Sequence, residues 1–405
     1  MKIILKGGNV YRGDRFTASD ILIDGGRVVS IADNIDNISV DKVISCDSFF
    51  VCPGFIDAHV HLREPGFSYK GTVKTETEAA AAGGYTTVMA MPNVVPAPSD
   101  LSSLEIMEQI IRKDAAIKVI PYGTITKEQS GRGSLSAMDE IAGRVASFSD
   151  DGKGVQDEAL MRQAMIKAAS LGKIITAHCE DEAYKPEDAR SEWVQAVRDI
   201  ELAEETGAAL HICHVSSEKT LEAVREAKAK GIDVTCETAP HYIAFCKDDI
   251  TDDGKFRMNP PIRADRDRRA IIEVVRNGTV DMIATDHAPH SLEEKSGGFQ
   301  NSLNGIIGLE TAFAVMNTLL CETGEIPFEK LVQLMSTNPA SRFGLDGGHI
   351  IENGPADIVI IDRDAEWVID KDRFKSKGRS CPFDGMKVKG QVAATICGGD
   401  IVYER

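Results

Sequence analysis

Eight strand-like runs recur through the middle of the chain, at Val51–Leu62, Thr86–Pro92, Ile117–Ile125, Arg144–Ser149, Ile174–Cys179, Leu210–Val215, Asp233–Ala239 and Asp281–Thr285. Between them lie stretches with helical spacing of apolar residues, among them Ser103–Arg112, Asp157–Ser170, Trp193–Thr206 and Glu218–Ala229. Parallel strands must be joined by long crossovers, and helices of this length supply them. Eight such units predict an α/β fold, a (β/α)8 TIM-like barrel. An open doubly wound sheet would carry a Gly-rich phosphate turn after its first strand. Here His59-Val-His61-Leu-Arg63 stands in that place. The two ends of the chain have a different character. Residues 1–50 and 345–405 read as short strands broken by Gly and Asp turns, and are expected to pair into a small β-sandwich beside a barrel of residues 51–344.

Composition removes several classes of function. The apolar fraction is 42%, with no long uninterrupted apolar run, so no membrane partner is expected. The apolar part of Met1–Gly8 is too short for a secretory signal, and a cytoplasmic location is expected. A formal net charge of −17 argues against nucleic acid, which needs a basic face. An anionic small-molecule substrate would have to be drawn in by local cations. Nine cysteines without a Cys-x-x-Cys pair argue against a disulfide framework. Cys179 and Cys213 are expected to turn away from the histidines beside them and to carry no ligand role.

Barrel enzymes place their chemistry at the C-terminal ends of the strands. The first strand ends in His59 and His61, whose spacing puts both imidazoles on one face. The fourth ends in Ser149-Asp150-Asp151-Gly152, the fifth in His178-Cys179-Glu180, the sixth in His211-Ile-Cys-His214, and the eighth in Thr285-Asp286-His287. Two imidazoles from one strand, one each from two others, a shared carboxylate and a further Asp make a donor set for two hydrolytic cations. Asp151 is the preferred bridge, with Asp150 its rival. His214 is preferred to His211 because it lies nearer the strand end. Asp286 suits a general base that also ligates weakly. His241, His287 and His349 are expected to have no role in the chemistry.

Together these motifs spell a family. Gly54-Phe-Ile-Asp-Ala-His-Val-His-Leu-Arg-Glu-Pro-Gly66, Met91-Pro-Asn93, Asp150-Asp-Gly152, Ala177-His-Cys-Glu180, His211-Ile-Cys-His-Val-Ser216 and Ala284-Thr-Asp-His-Ala-Pro-His290 resemble the dihydroorotases of the amidohydrolase superfamily, in their long bacterial form. The resemblance runs nearly end to end, through Gly308-Leu-Glu-Thr311, Asn338-Pro-Ala340 and Pro355-Ala-Asp357. It implies a cytoplasmic enzyme of pyrimidine biosynthesis that interconverts N-carbamoyl-L-aspartate and L-dihydroorotate with two zinc ions per subunit. By position, His59 and His61 would hold one zinc, His178 and His214 the other, and Asp151 would bridge them. Asp286 would ligate weakly and relay the proton as metal-bound hydroxide attacks the ring amide carbonyl. Arg63, Asn93 and His290 would grip the substrate carboxylate, and Asn259 with the backbone near Gly305 would contact the ring. A homodimer is expected, and association with aspartate transcarbamoylase is among the partnerships the resemblance suggests.

Two departures accompany it. The interval between His178 and His214 is shorter than in many relatives, with Lys185–Trp193 in the region of the extra loop. Asn304 stands where many relatives have an aromatic residue. Ser291–Leu303, polar and containing Gly297-Gly298, is expected to act as a mobile lid. The nearest competing reading is a dihydropyrimidinase (hydantoinase) or allantoinase. Many of those bridge their metals through a carbamylated lysine at the end of strand four, where this chain has Asp150-Asp151. A non-catalytic scaffold of aspartate transcarbamoylase should have lost ligands that this chain keeps.

Overall fold

The computed structural model describes residues 1–405. Strand Phe55–Val60 pairs in parallel with Tyr85–Ala90, and that strand with Lys118–Pro121. A second parallel ladder joins Ile175–Ala177, Leu210–Ile212, Val234–Thr238 and Met282–Ile283 in sequence. Single bridges close the circle: Gly123 to Phe148 and Phe148 to Ile175 on one side, His287 to Val60 on the other. Closure removes the sheet edges. Every residue of Phe55–Val60 and Tyr85–Ala90 is buried, as expected for parallel strands covered on both faces. Helices pack outside the strands. Glu218–Ala229, for instance, is started by Ser217, whose hydroxyl accepts from Thr220 N.

The chain ends form one eight-stranded sheet in which Phe50–Pro53 lies between Ile3–Tyr11 and Ile358–Val368. Ile3 and Leu5 from the first segment, and Val51 just after it, share a buried core with Ile358, Ile360 and Ile396 from the last. The run Val51–Leu62 is therefore two strands with different partners. Its first part belongs to the end sheet, and the barrel begins only at Phe55. Gly54 makes the passage possible, since a Cβ there would overlap the Thr86 side chain. The expected strand Arg144–Ser149 also shrinks, to the one bridging residue Phe148. Ala142–Arg144 is a 3-10 turn instead, and Ser147 Oγ donates to Ile174 O (2.6 Å), the carbonyl that also accepts from Phe148 N (3.3 Å).

Ser291–Leu303 is more firmly held than its composition suggests. It folds into two short helices, Leu292–Lys295 and Gly298–Asn301. Lys295 is buried, and its Nζ donates to the carbonyls of Arg257 (3.0 Å), Leu303 (2.6 Å) and Gly305 (2.8 Å). The segment expected to act as a mobile lid is thus tied to the backbone beside it through Lys295, and Glu294 adds a contact to Lys70 (2.9 Å). No helix in the chain is long and apolar enough to cross a membrane.

Candidate active site

The strand ends bring His59, His61, Asp151, His178, His214 and Asp286 together, all of them buried. Asp151 lies at the centre. Its Oδ1 is 3.3 Å from His59 Nε2, 3.3 Å from His178 Nδ1 and 3.5 Å from His214 Nε2, and its Oδ2 is 3.6 Å from His61 Nε2. Asp286 Oδ1 lies 3.0 Å from His61 Nε2 and 3.5 Å from His59 Nε2. Two groups of ligand atoms result, His59 with His61 and Asp151, and His178 with His214 and Asp151. The carboxylate of Asp151 is common to both.

Three predicted site residues reach their positions through left-handed backbone: Arg63 (φ 67°), His214 (φ 32°) and Asp286 (φ 49°). Such conformations cost about 1–3 kcal/mol for a residue with a side chain, and they cluster where geometry is imposed by function. They also explain a failure of simple alternation. The sixth strand ends at Ile212, so the turn at His214, not strand parity, aims that imidazole inward. Cys213 is not turned away as expected: its Sγ groups with ligand atoms of His59 and Glu237 beneath the cluster.

Donor chemistry fits divalent cations. His59 Nδ1 lies 2.7 Å from Glu237 Oε1, and His178 Nε2 lies 3.0 Å from Glu180 Oε2. Each carboxylate takes the hydrogen of one ring nitrogen and leaves the lone pair of the other facing Asp151. His59 Nε2 and Asp151 Oδ1 are buried without a hydrogen-bond partner, which is costly unless something else satisfies them. Burial pushes the Asp151 carboxyl up, but His59 and the surrounding imidazoles hold it well below the usual carboxylate range. A cluster of imidazole nitrogens around ionised carboxylates, each with its own orienting partner, is a metal centre.

Neighbouring residues of the same types have other duties. Asp150 accepts from Ile125 N (2.8 Å), Thr126 N (3.1 Å) and Gly131 N (3.2 Å), and so anchors a loop. His211 is held by Thr235 Oγ1 (2.8 Å) and Glu237 Oε2 (3.2 Å). His287 faces away, 2.8 Å from Glu76 Oε2. His349 is exposed. Burial pushes the His241 imidazole down to about 4, and its Nε2 has no partner.

Arg63, Asn93, Asn259 and Gly305 line a cavity of about 180 Å³ above the cluster. Arg63 Nε donates to Pro289 O (3.0 Å), and its Nη2 lies 3.2 Å from His290 Nε2. His290 thus backs the guanidinium and donates its Nε2 hydrogen to Asn304 O (2.7 Å). Burial, with Arg63 and Lys70 beside it, pushes its imidazole down to about 3, so it is neutral near pH 7. Asn93 Nδ2 donates one hydrogen to Asp151 O (2.7 Å), leaving the second for a ligand. Gly305 has φ 136°, and a Cβ there would meet Ala288 O at 2.7 Å, so only glycine fits. Its N–H donates to Arg257 O (3.0 Å) and its carbonyl accepts from Lys295 Nζ (2.8 Å), so both of its backbone polar groups already have partners.

Residues 49–233 match the model of Dihydro-orotase-like proteins, and residues 252–403 that of the Amidohydrolase family. A dihydroorotase of Fusobacterium nucleatum is 45% identical, the match covering 99% of this chain and 98% of that protein. A dihydroorotase of Brevibacillus brevis is 41% identical with both chains fully covered. The chain belongs to the dihydroorotase family. Among solved structures, the L-hydantoinase (dihydropyrimidinase) of Arthrobacter aurescens superimposes with a TM-score of 0.91 at 25% identity, covering 99% of this chain and 96% of that one. The dihydropyrimidinase of Brevibacillus agri, at 24% identity and a TM-score of 0.90 over 100% of this chain and 95% of that one, shares the fold. The dihydroorotase family and the hydantoinases thus use one barrel, and side chains at its rim must separate them.

Three residues of this dihydroorotase-family site were not picked out by sequence reasoning. Glu237, on the inner side of the seventh strand, holds His59 and His211 and accepts from His214 N (3.3 Å). Glu180 stood inside a quoted motif, but its partners are visible only in three dimensions. Lys70, buried, pairs with Glu294 (2.9 Å) and adds a second cation beside His290. No local spacing announces it.

Proposed function

We propose that this chain interconverts N-carbamoyl-L-aspartate and L-dihydroorotate, with two zinc ions held by His59, His61, His178, His214 and the bridging Asp151. The observation that carries the reading is Arg63: a half-buried guanidinium on the wall of the cavity above a hydrolytic metal cluster. Guanidinium binds carboxylate in a planar, bidentate fashion, and a hydantoin or allantoin has no carboxylate to offer it. In an acidic chain, Arg63 supplies the local positive charge that an anionic substrate needs.

When bound, the two cations supply Lewis-acid polarisation of the ring amide carbonyl and activate water near neutral pH. The protein supplies the rest. Arg63 and the free Asn93 hydrogen fix the carboxylate, and with it the ring. Asp286, on the floor of the cavity, takes the proton from the attacking water and gives it to the ring nitrogen as the C–N bond breaks. In the direction of ring closure, Asp286 takes the proton from the ureido nitrogen and returns it to the departing oxygen.

Initial rates on L-dihydroorotate, dihydrouracil and allantoin test this reading. A site built to pair with a carboxylate is expected to prefer dihydroorotate by at least about 10³-fold in kcat/KM. Faster turnover of either neutral ring would sink it.

A further inference from the structure

Glu180 touches both halves of the site. Its backbone is fixed, the N–H donating to Gln195 Oε1 (3.2 Å) and the carbonyl accepting from Gln156 Nε2 (2.8 Å). One carboxylate oxygen, Oε2, then meets His178 Nε2 at 3.0 Å and Asn259 Nδ2 at 2.8 Å. We propose that Glu180 is a positioning residue that locks a metal ligand and the ring-reading side chain into one arrangement, so that metal binding and substrate recognition are coupled through a single oxygen.

Two consequences follow from the chemistry of that oxygen. Because it accepts from His178 Nε2, the imidazole carries its hydrogen there and presents the Nδ1 lone pair toward Asp151, 3.3 Å away. Because it also accepts from Asn259 Nδ2, the amide cannot flip: one of its hydrogens belongs to Glu180, and Oδ1 and the second hydrogen are left for the cavity that Asn259 lines. This wall therefore offers the Oδ1 acceptor beside the second Nδ2 hydrogen, and suits a ligand that presents an N–H next to a carbonyl. Resting on the dihydroorotase reading, that group is a ureide N–H, which both the open and the closed substrate possess.

Glu180→Met removes the acceptor while keeping side-chain length, and Glu180→Gln keeps one oxygen able to accept from both partners. Zinc affinity is measured by competition with a chelator, and steady-state kinetics on dihydroorotate are run at saturating zinc. Glu180→Met is expected to weaken zinc binding by about 10- to 100-fold, with Glu180→Gln restoring most of it. The Met variant is also expected to raise KM about tenfold in the presence of Asn259 and to add nothing to an Asn259→Ala background. Zinc affinity unchanged in Glu180→Met, or a KM effect that adds fully to that of Asn259→Ala, would overturn the proposal. If the wild type turns over no dihydroorotate, the substrate reading fails, while the zinc measurement still decides the role of Glu180 at the metal ligand.

Discussion

Asp286→Asn is expected to keep its metal and lose about three orders of magnitude in kcat, close to 4 kcal/mol of transition-state stabilisation. The amide retains volume, shape and one oxygen, so the packing around His61 and His59, 3.0 and 3.5 Å away, survives. It loses only the capacity to accept and return a proton. Metal content by atomic absorption, measured with kcat on the same preparation, separates the two effects. Near-normal turnover would refute the relay. Loss of metal in step with activity would make Asp286 chiefly a ligand.

Asp151→Ala should be more damaging, and in a different way. The side chain is shared by both ligand groups, so its removal leaves His59 and His61 on one side and His178 and His214 on the other with no common anion. Four buried imidazoles would then face two cations without the charge that holds them at close range. Metal content is expected to fall below that of the parent, and kcat by about 10⁴-fold or more, because residues that act as a unit fail together. An Asp151→Ala protein that retained full metal and a tenth of its activity would remove the bridge from the account.

Much of this site was legible before any coordinates. His59 and His61 could be placed on one face from strand alternation, and they converge on Asp151 even though the pairing of Phe55–Val60 with its neighbour shifts register between Asp57 and Val60. The closed barrel followed from the count and spacing of strands, even though one of the eight survives only as a bridge at Phe148. Other features were hidden for identifiable reasons. Asp150 and Asp151 are chemically identical neighbours, and only the loop amides of Ile125, Thr126 and Gly131 show which is the anchor. Alternation gave the wrong direction for Cys213, and it is the backbone at His214 that decides the sixth strand's contribution. Glu237 and Glu180 act through partners distant in sequence, 178 residues away for His59 and 79 for Asn259, which no local pattern encodes. Within the polar run Ser291–Leu303, the inward turn of Lys295 was equally hidden, because the three carbonyls that its Nζ meets are brought together only by the fold.

The most direct test is to strip the protein with chelator, return zinc in measured equivalents, and read turnover of L-dihydroorotate at each step. Turnover is expected to be absent without zinc, to rise with added metal, and to level off at two equivalents per chain. Full activity at one equivalent, or no dihydroorotate turnover with both sites filled, would contradict the account.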